Sequence, residues 1–166
     1  MEEKETEELE VEESIKKYKE YAKIIKPFVT DTVNLIHKLL DEGKNIAVVS
    51  DAGTPGISDP GFLIAREAAK SRIEVITLPG ATAFVPALTS SGISPSPFLF
   101  YGFLNAKNSK QKSELETLKN LKYTMIFYES VHRIKDTLNN MLSVFGDRNI
   151  SINREISKIH EEIVRG

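Results

Sequence analysis

The fold of this chain is decided by residues 45–61, which read NIAVVSDAGTPGISDPG. The first part, at 45–49, is a short run of small and β-branched residues, which is typical of a strand buried in a parallel sheet. The part at 50–59 holds glycines, prolines and small polar residues, which favour a rigid loop whose backbone can lie against a ligand. Asp59-Pro60-Gly61 then predicts the start of a helix, because aspartate caps helices and proline fits their first turn.

Outside this segment, strand and helix patterns alternate along the chain. We predict helices from Thr30, as the N-cap, through Asp41, with Gly43 closing the turn, and at 60–71, 81–91, 109–121 and 130–145. We predict strands at 45–49, 73–77, 98–101, 123–128 and 149–153. Alternation at this spacing indicates an α/β architecture with largely parallel sheets.

Residues 1–29 differ from the rest of the chain. They begin with acids, continue with lysines, and carry apolar side chains three and four residues apart from Val11 to Ile25. This pattern predicts one amphipathic helix that ends near Pro27. An interaction tail is one interpretation, and a solvated helix that packs one face on the body is the one we favour.

Composition excludes several classes of protein. The chain of 166 residues contains no cysteine, which excludes disulfide frameworks, thiolate nucleophiles and cysteine-ligated metals. His37, His132 and His160 show no ligand spacing, so we expect no metal site. The apolar runs are far shorter than the roughly 18 residues of a membrane span, and the acidic start is unlike a signal peptide. We therefore expect a cytoplasmic globular protein with no membrane partner.

Two more segments are candidates for binding. The loop Leu78-Pro79-Gly80-Ala81-Thr82-Ala83 follows the second predicted strand, and its small residues let a helix N-terminus approach a polar ligand. Between Asn105 and Lys135 the chain has seven bases and three acids, although its net charge is −2 overall. Such a segment is either a patch for nucleic-acid phosphates or an ordinary solvated helix face.

Three motifs in order give these segments a common explanation. SDAGTPGISDPG at 50–61, LPGATA at 78–83 and FYESVHR at 127–133 resemble the ribosomal RNA small-subunit methyltransferase I family, within the tetrapyrrole methylase superfamily. The resemblance runs from about residue 31 to the end and includes YGFLNAK at 101–107 and NREISKIHEEIVRG at 153–166. It implies transfer of a methyl group from S-adenosylmethionine to the ribose 2′-hydroxyl of a cytidine in the decoding region of 16S rRNA. The implied partners are the 30S subunit and a second copy of the chain, in a homodimer.

The resemblance also implies a two-lobe fold. Residues 30–95 correspond to part of an N-terminal α/β lobe with a largely parallel sheet, and residues 96–166 to part of a C-terminal α/β lobe with a mixed sheet. The unmatched helix at 1–29 precedes them. Pro95 and Pro97 interrupt the chain where we place the boundary.

The site residues follow from the same resemblance. Gly53-Thr54-Pro55 stands where the superfamily has a cofactor-binding Gly-Asp-Pro loop, and Thr54 in place of aspartate leaves open which side chain contacts the cofactor. Glu129 and His132 are candidates for the base that accepts the hydroxyl proton, with a satisfied carboxylate and a helix-start histidine as the alternatives. The implied cofactor-binding residues are Asp51, Ala52, Gly53, Thr54, Ile57, Thr82, Ala83 and Glu129, and the implied RNA-binding residues are Lys107, Lys110, Lys112 and Arg133.

The chain also departs from the family. The strand and Pro-Ile-Gly-Asn-Leu loop that open family members do not occur here, and neither do the family's last strands. We therefore expect a chain that folds but has little turnover. The alternative is a non-catalytic domain that keeps the fold and weak cofactor binding. A methylase that acts on a tetrapyrrole is a third hypothesis, which the FYESVHR motif disfavours.

Overall fold

The computed structural model describes residues 31–50, 53–58 and 61–166, so the predicted helix at 1–29 lies outside the described residues. The chain divides into two compact units, Met1–Pro79 and Gly80–Gly166. The helices are α1 (described over 31–41), α2 (Gly61–Lys70), α3 (Phe84–Ser91), α4 (Asn108–Leu118) and α5 (Ile134–Phe145). The strands are β1 (Phe98–Phe103), β2 (Thr124–Tyr128), β3 (Ser151–Arg154) and β4 (Glu162–Arg165).

α1 and α2, the helices described in the first unit, end in the same hydrogen-bonded cap. After α1, Gly43 adopts a left-handed φ of 74°, and the Lys44 amide donates to the Leu39 carbonyl at 3.0 Å. After α2, Arg72 takes that conformation with a φ of 58°, and the Ile73 amide donates to the Ala68 carbonyl at 2.9 Å. This six-to-one bond is the signature of the Schellman cap. The predicted closure of α1 by Gly43 is therefore confirmed.

The two strands predicted for this unit are wrong. Residues 45–49 and 73–77 are described, and neither forms a strand. The side chains of Val49 and Ile76 lie in solvent rather than in a core. A strand exists only where its amides and carbonyls pair with a neighbouring chain segment. The β-branched residues at these positions have a high propensity for strands. That propensity does not provide a neighbouring strand with which to pair.

The second unit contains a parallel strand–helix–strand core. β1 and β2 pair in parallel, from Phe98 opposite Thr124 to Phe103 opposite Tyr128, and α4 makes the crossover between them. α4 and α5 pack on each other, and the buried core consists of Leu104, Leu115 and Val144. The half-buried side chains around it are Tyr101, Phe127, Met141 and Phe145. This alternation confirms the predicted α/β fold class.

An antiparallel pair completes the second unit. β3 pairs with β4 from Ser151 opposite Arg165 to Arg154 opposite Glu162, and the sequence pattern did not predict β4. The Arg165 guanidinium donates to the carbonyls of Ser90 and Ser91, at 2.6 and 3.2 Å, and so caps the end of α3. α3 lies within the second unit and contacts its β3–β4 pair, whereas the resemblance implies a lobe boundary after residue 95. The boundary after residue 95 stays a prediction.

Within the described ranges, no helix is long and apolar enough to cross a membrane.

We expect Leu115→Ala to lower the free energy of unfolding by about 2–5 kcal/mol, because it leaves a cavity in a fully buried position. Leu142→Ala makes the same change on the exposed face of α5 and should shift stability by less than about 0.5 kcal/mol. Urea denaturation of both variants measures the difference. Equal losses would contradict the assigned core.

Tyr101 generates a pH prediction. Burial raises the pKa of its phenol, and the negative charge of Glu114 raises that pKa further. The folded state therefore keeps a proton that the unfolded state releases near pH 10, so stability should fall as pH rises from about 10 through the folded pKa. Tyr101→Phe should flatten this alkaline loss in denaturation curves recorded across that range, and parallel curves for the two proteins would refute the assignment.

Candidate functional site

The carboxyl ends of β1 and β2 form one edge of their sheet, because the two strands are parallel. Phe103 ends β1, Tyr128 ends β2, and the two are register partners. The segments that follow therefore leave the sheet side by side. We call residues 103–107 and 128–133 the carboxyl edge, which is where α/β sheets bind their ligands.

A buried carboxylate sits at this edge. The Glu129 side chain is only 5% exposed. Its Oε1 accepts a hydrogen bond from the Ser130 amide at 2.7 Å and lies 2.6 Å from Nη2 of Arg133, while Oε2 accepts a bond from the Thr137 hydroxyl at 2.7 Å. Both oxygens are thus bonded, as a buried charge requires. The ion pair holds Arg133 at the end of the turn 130–133, with part of its side chain in solvent.

The bonds continue from Glu129 into the space between α4 and α5. The Thr137 hydroxyl accepts a bond from Nε2 of Gln111 at 3.0 Å, and Oε1 of Gln111 accepts one from Nδ2 of Asn140 at 2.5 Å. Asn140 also donates to Oδ1 of Asn108 at 3.0 Å. Thr137, Gln111 and Asn140 are all buried. We call Asn108, Gln111, Glu129, Arg133, Thr137 and Asn140 the Glu129 network. From Asn140 through Gln111 and Thr137, each group donates to the next one toward the carboxylate, an order in which each bond polarises the next.

The sequence positions these groups by helical spacing. On α4, Gln111 lies four residues before Leu115, and on α5, Asn140 lies four residues before Val144. Residues four apart share a helix face, so the amides lie on the faces that build the core. Sequence reasoning missed Gln111, Thr137 and Asn140. The available signal was a polar residue inside an otherwise apolar helical stripe.

The predicted RNA-binding lysines are exposed on α4 and its N-cap. Lys107 is the N-cap, and its amide donates to Oδ1 of Asn105 at 3.0 Å. Lys107 is the last residue of the first segment of the carboxyl edge, and Lys110 and Lys112 follow it on the first turns of α4. Lys110 and Lys112 are two residues apart, so they point to different sides of the helix.

His132 is exposed in the turn before α5. It lies beside Arg133 in sequence, at the rim of the carboxyl edge. In the described part of the chain, no three His, Asp or Glu side chains converge as metal ligands. The groups at this edge that can act on a ligand are therefore the Arg133 guanidinium, the His132 imidazole and the nearby lysine ammonium groups.

The glycine-rich loop of the first unit contains a type II turn. The Ile57 amide donates to the Thr54 carbonyl at 3.4 Å, with Pro55 and Gly56 at the centre of the turn. Gly56 has a φ of 85°, which this turn requires and which other residues rarely adopt. The turn leaves Ile57 exposed and Thr54 half-buried. Two further predicted residues, Asp51 and Ala52, lie outside the described residues.

The other small-residue loop leads into α3 in the second unit. Ala83 is the N-cap of α3 and is exposed, and Thr82 before it is half-buried. The amides of Phe84 and Val85 in the first turn have no acceptor within the helix. Small side chains beside free amide donors suit the carboxylate or hydroxyl oxygens of a polar ligand. This donor chemistry fits the carboxylate and ribose hydroxyls of the implied cofactor.

Comparison with known proteins identifies relatives of the chain. Residues 3–166 match the family model of tetrapyrrole (corrin/porphyrin) methylases. The Bacillus subtilis (strain 168) protein named ribosomal RNA small subunit methyltransferase I is 50% identical over 133 residues, which are 78% of this chain and 46% of that protein. The Haemophilus influenzae protein of the same name is 46% identical over 134 residues, which are 80% of this chain and 47% of that protein.

These matches confirm the resemblance carried by the three motifs. The chain spans about half the length of the curated relatives it matches. The family-model match also includes residues 3–29, for which sequence analysis found no counterpart.

The buried network generates a stability prediction. Thr137→Val keeps the shape of the side chain but removes the hydroxyl, so Oε2 of Glu129 loses its donor and Nε2 of Gln111 loses its acceptor. We expect a loss of about 1–3 kcal/mol in the free energy of unfolding. Thr117→Val is the matched control, because the Thr117 hydroxyl is exposed and bonds only the Glu114 carbonyl on its own helix.

Chemical denaturation measures both variants. The control should change stability by less than about 0.5 kcal/mol. Equal effects at positions 137 and 117 would show that the network contributes nothing to the fold.

Proposed function

The chain belongs to the tetrapyrrole (corrin/porphyrin) methylase family, and from this premise we propose that it transfers a methyl group from S-adenosylmethionine to ribosomal RNA. The observation that carries the proposal is about 50% identity to proteins named ribosomal RNA small subunit methyltransferase I. The basic carboxyl edge supports it, because RNA presents phosphates to any protein that binds it. We further propose that the acceptor is the ribose 2′-hydroxyl of a 16S rRNA cytidine in the 30S subunit, and that a homodimer acts in the cytoplasm.

S-adenosylmethionine, when bound, supplies an electrophilic methyl group on a sulfonium. We assign the cofactor-binding residues loop by loop. On the glycine-rich loop they are Asp51, Ala52, Gly53, Thr54 and Ile57, and in the second unit Thr82, Ala83 and Glu129. The type II turn at Thr54–Ile57 and the amide donors at the start of α3 support the two loop assignments. Glu129 would act on the cofactor as a negative charge whose position is fixed by the Glu129 network.

Methyl transfer to a hydroxyl is an in-line displacement, in which the carbon–sulfur bond breaks as the carbon–oxygen bond forms. Its main demand on the protein is positioning. The hydroxyl also releases a proton, which a base within hydrogen-bond reach can accept. We propose His132 for that role over Glu129, because the imidazole is exposed whereas both Glu129 oxygens already hold partners. Glu129 is then a positioning residue that fixes Arg133.

RNA binding is proposed for the basic side chains of the second unit. Lys107, Lys110, Lys112 and Arg133 are cationic groups with exposed or partly exposed heads. Arginine and lysine contacts to phosphates fix orientation on RNA without reading its sequence. The acids of this region are largely neutralised locally, since Glu116 pairs with Lys119 at 3.6 Å and Glu129 with Arg133. The surface that remains is positive.

The test combines cofactor titration with methyl transfer. We expect calorimetry to detect S-adenosylmethionine binding to the full chain, and tritium from labelled cofactor to enter 16S rRNA in 30S subunits that lack the modification. Mapping should locate the label on a cytidine 2′-oxygen. Binding without transfer would support a non-catalytic domain, and the absence of any cofactor binding would overturn the proposed activity.

A variant of the second loop sharpens this test. Ala83→Leu places a bulky side chain at the start of α3 and should weaken cofactor binding by roughly tenfold or more. Ala69→Leu makes the same change at an exposed position of α2 and should leave binding unchanged. Equal affinities for both variants would remove Ala83 from the cofactor site.

A further inference from the structure

The β1–β2 sheet carries aromatic side chains on the face away from the core. Residues Leu104, Leu115 and Val144 form the core with Tyr101 and Phe127, on the side covered by α4 and α5. Register shifts between Phe100 and Gly102, so Tyr101 is the extra residue of a β-bulge. The bulge places Phe103 on the same face as Phe100, and both rings contact Tyr128, at centroid distances of 5.5 and 5.0 Å.

This aromatic face is covered at its centre and exposed at both ends of β1. At its centre, Phe84 of α3 stacks on Phe100, with centroids 4.6 Å apart, and it also approaches Phe98 at 6.4 Å. Phe103 lies beyond this cover, at the carboxyl edge, and is 53% exposed. The Phe103–Tyr128 pair therefore presents a fixed aromatic surface where the two parallel strands end. Exposure of a large ring that is rigidly backed by a second ring is typical of a binding surface.

The charged residues beside the Phe103–Tyr128 pair indicate what kind of molecule binds there. The segment after Phe103 leads within four residues to Lys107 and then to Lys110, and the segment after Tyr128 leads to Arg133. Glu129, the acid nearest to Tyr128 in sequence, is buried and bonded to Arg133. An aromatic surface bordered by cations matches a single-stranded nucleic acid, whose bases stack on rings while its phosphates meet the cations.

We propose that Phe103 and Tyr128 form a stacking surface for an unpaired base of RNA, with Lys107 and Lys110 on the adjoining phosphates. The inference rests on the proposed RNA substrate and deepens it, because it selects unpaired over duplex RNA. A duplex keeps its bases stacked on each other and hides their faces from a protein ring. The β-bulge contributes to this surface, because it places the Phe103 ring on the same face of the sheet as Tyr128.

A single tryptophan reports stacking directly. The chain contains no tryptophan, so Phe103→Trp introduces the only indole. We expect its emission to be quenched when a short single-stranded RNA of mixed sequence is added, and not when the same sequence is added as a duplex. Phe98→Trp is the matched control: Phe98 is 44% exposed on the same face of β1, at the opposite end of the strand. Its emission should not respond to either RNA.

Measurements of RNA affinity in these variants separate the contribution of base stacking from that of charge. Phe103→Leu should weaken binding of the single-stranded RNA by roughly 5- to 150-fold, the contribution of one stacked base. The slope of log affinity against log salt concentration should not change. Lys107→Gln combined with Lys110→Gln should instead lower that slope by about 1 to 2, because fewer counterions are released. Phe98→Leu should change neither quantity. Fluorescence anisotropy of end-labelled RNA measures all of these, and circular dichroism verifies the fold of each variant.

The outcomes distinguish this inference from the proposed function. If the unmodified chain binds RNA while Phe103→Leu binds it equally well, or the Phe103→Trp emission is not quenched, the stacking surface is wrong and the proposed function stands. If the unmodified chain binds no RNA at all, both fail. Quenching of Phe103→Trp tests the proposal even if Phe103→Leu does not fold.

Discussion

The second unit depends on one buried charge. The Glu129 carboxylate lies at the end of β2, almost fully removed from water, and an unpartnered ion in that position would be strongly destabilising. Its partners come from three places: the Ser130 amide, the Arg133 guanidinium and the Thr137 hydroxyl. Satisfying this one group therefore fixes the turn after β2, the start of α5 and, through Gln111, the packing of α4. A single constraint joins the elements that border the carboxyl edge.

The consequence for function is a rigid edge with separate chemical parts. Glu129 holds Arg133 in an ion pair, Lys107 is the N-cap of α4, and Phe103 and Tyr128 lie at the ends of the two strands. In the account proposed above, the cations hold the RNA backbone, the rings hold an unpaired base, and the two small-residue loops serve the cofactor.

Sequence reasoning succeeded where the determinant is local. Gly43 predicted the cap of α1, and the sequence patterns at 109–121 and 130–145 predicted the helices α4 and α5. It failed for the strands at 45–49 and 73–77, since a strand depends on a partner segment that is often distant in sequence and that local patterns do not encode. Glu129 was identified by its motif, but Gln111 and Asn140, which extend its network, were not, because the bond between them joins residues about thirty positions apart.

The central claim is that RNA binds at the carboxyl edge of β1 and β2. Ultraviolet cross-linking of the full chain to 30S subunits, followed by mass spectrometry of the peptides, tests it most directly. We predict cross-links to Phe103, Tyr128 and the lysines between Lys107 and Lys112. Cross-links confined to α2 or to the β3–β4 pair, with none at this edge, would contradict the account.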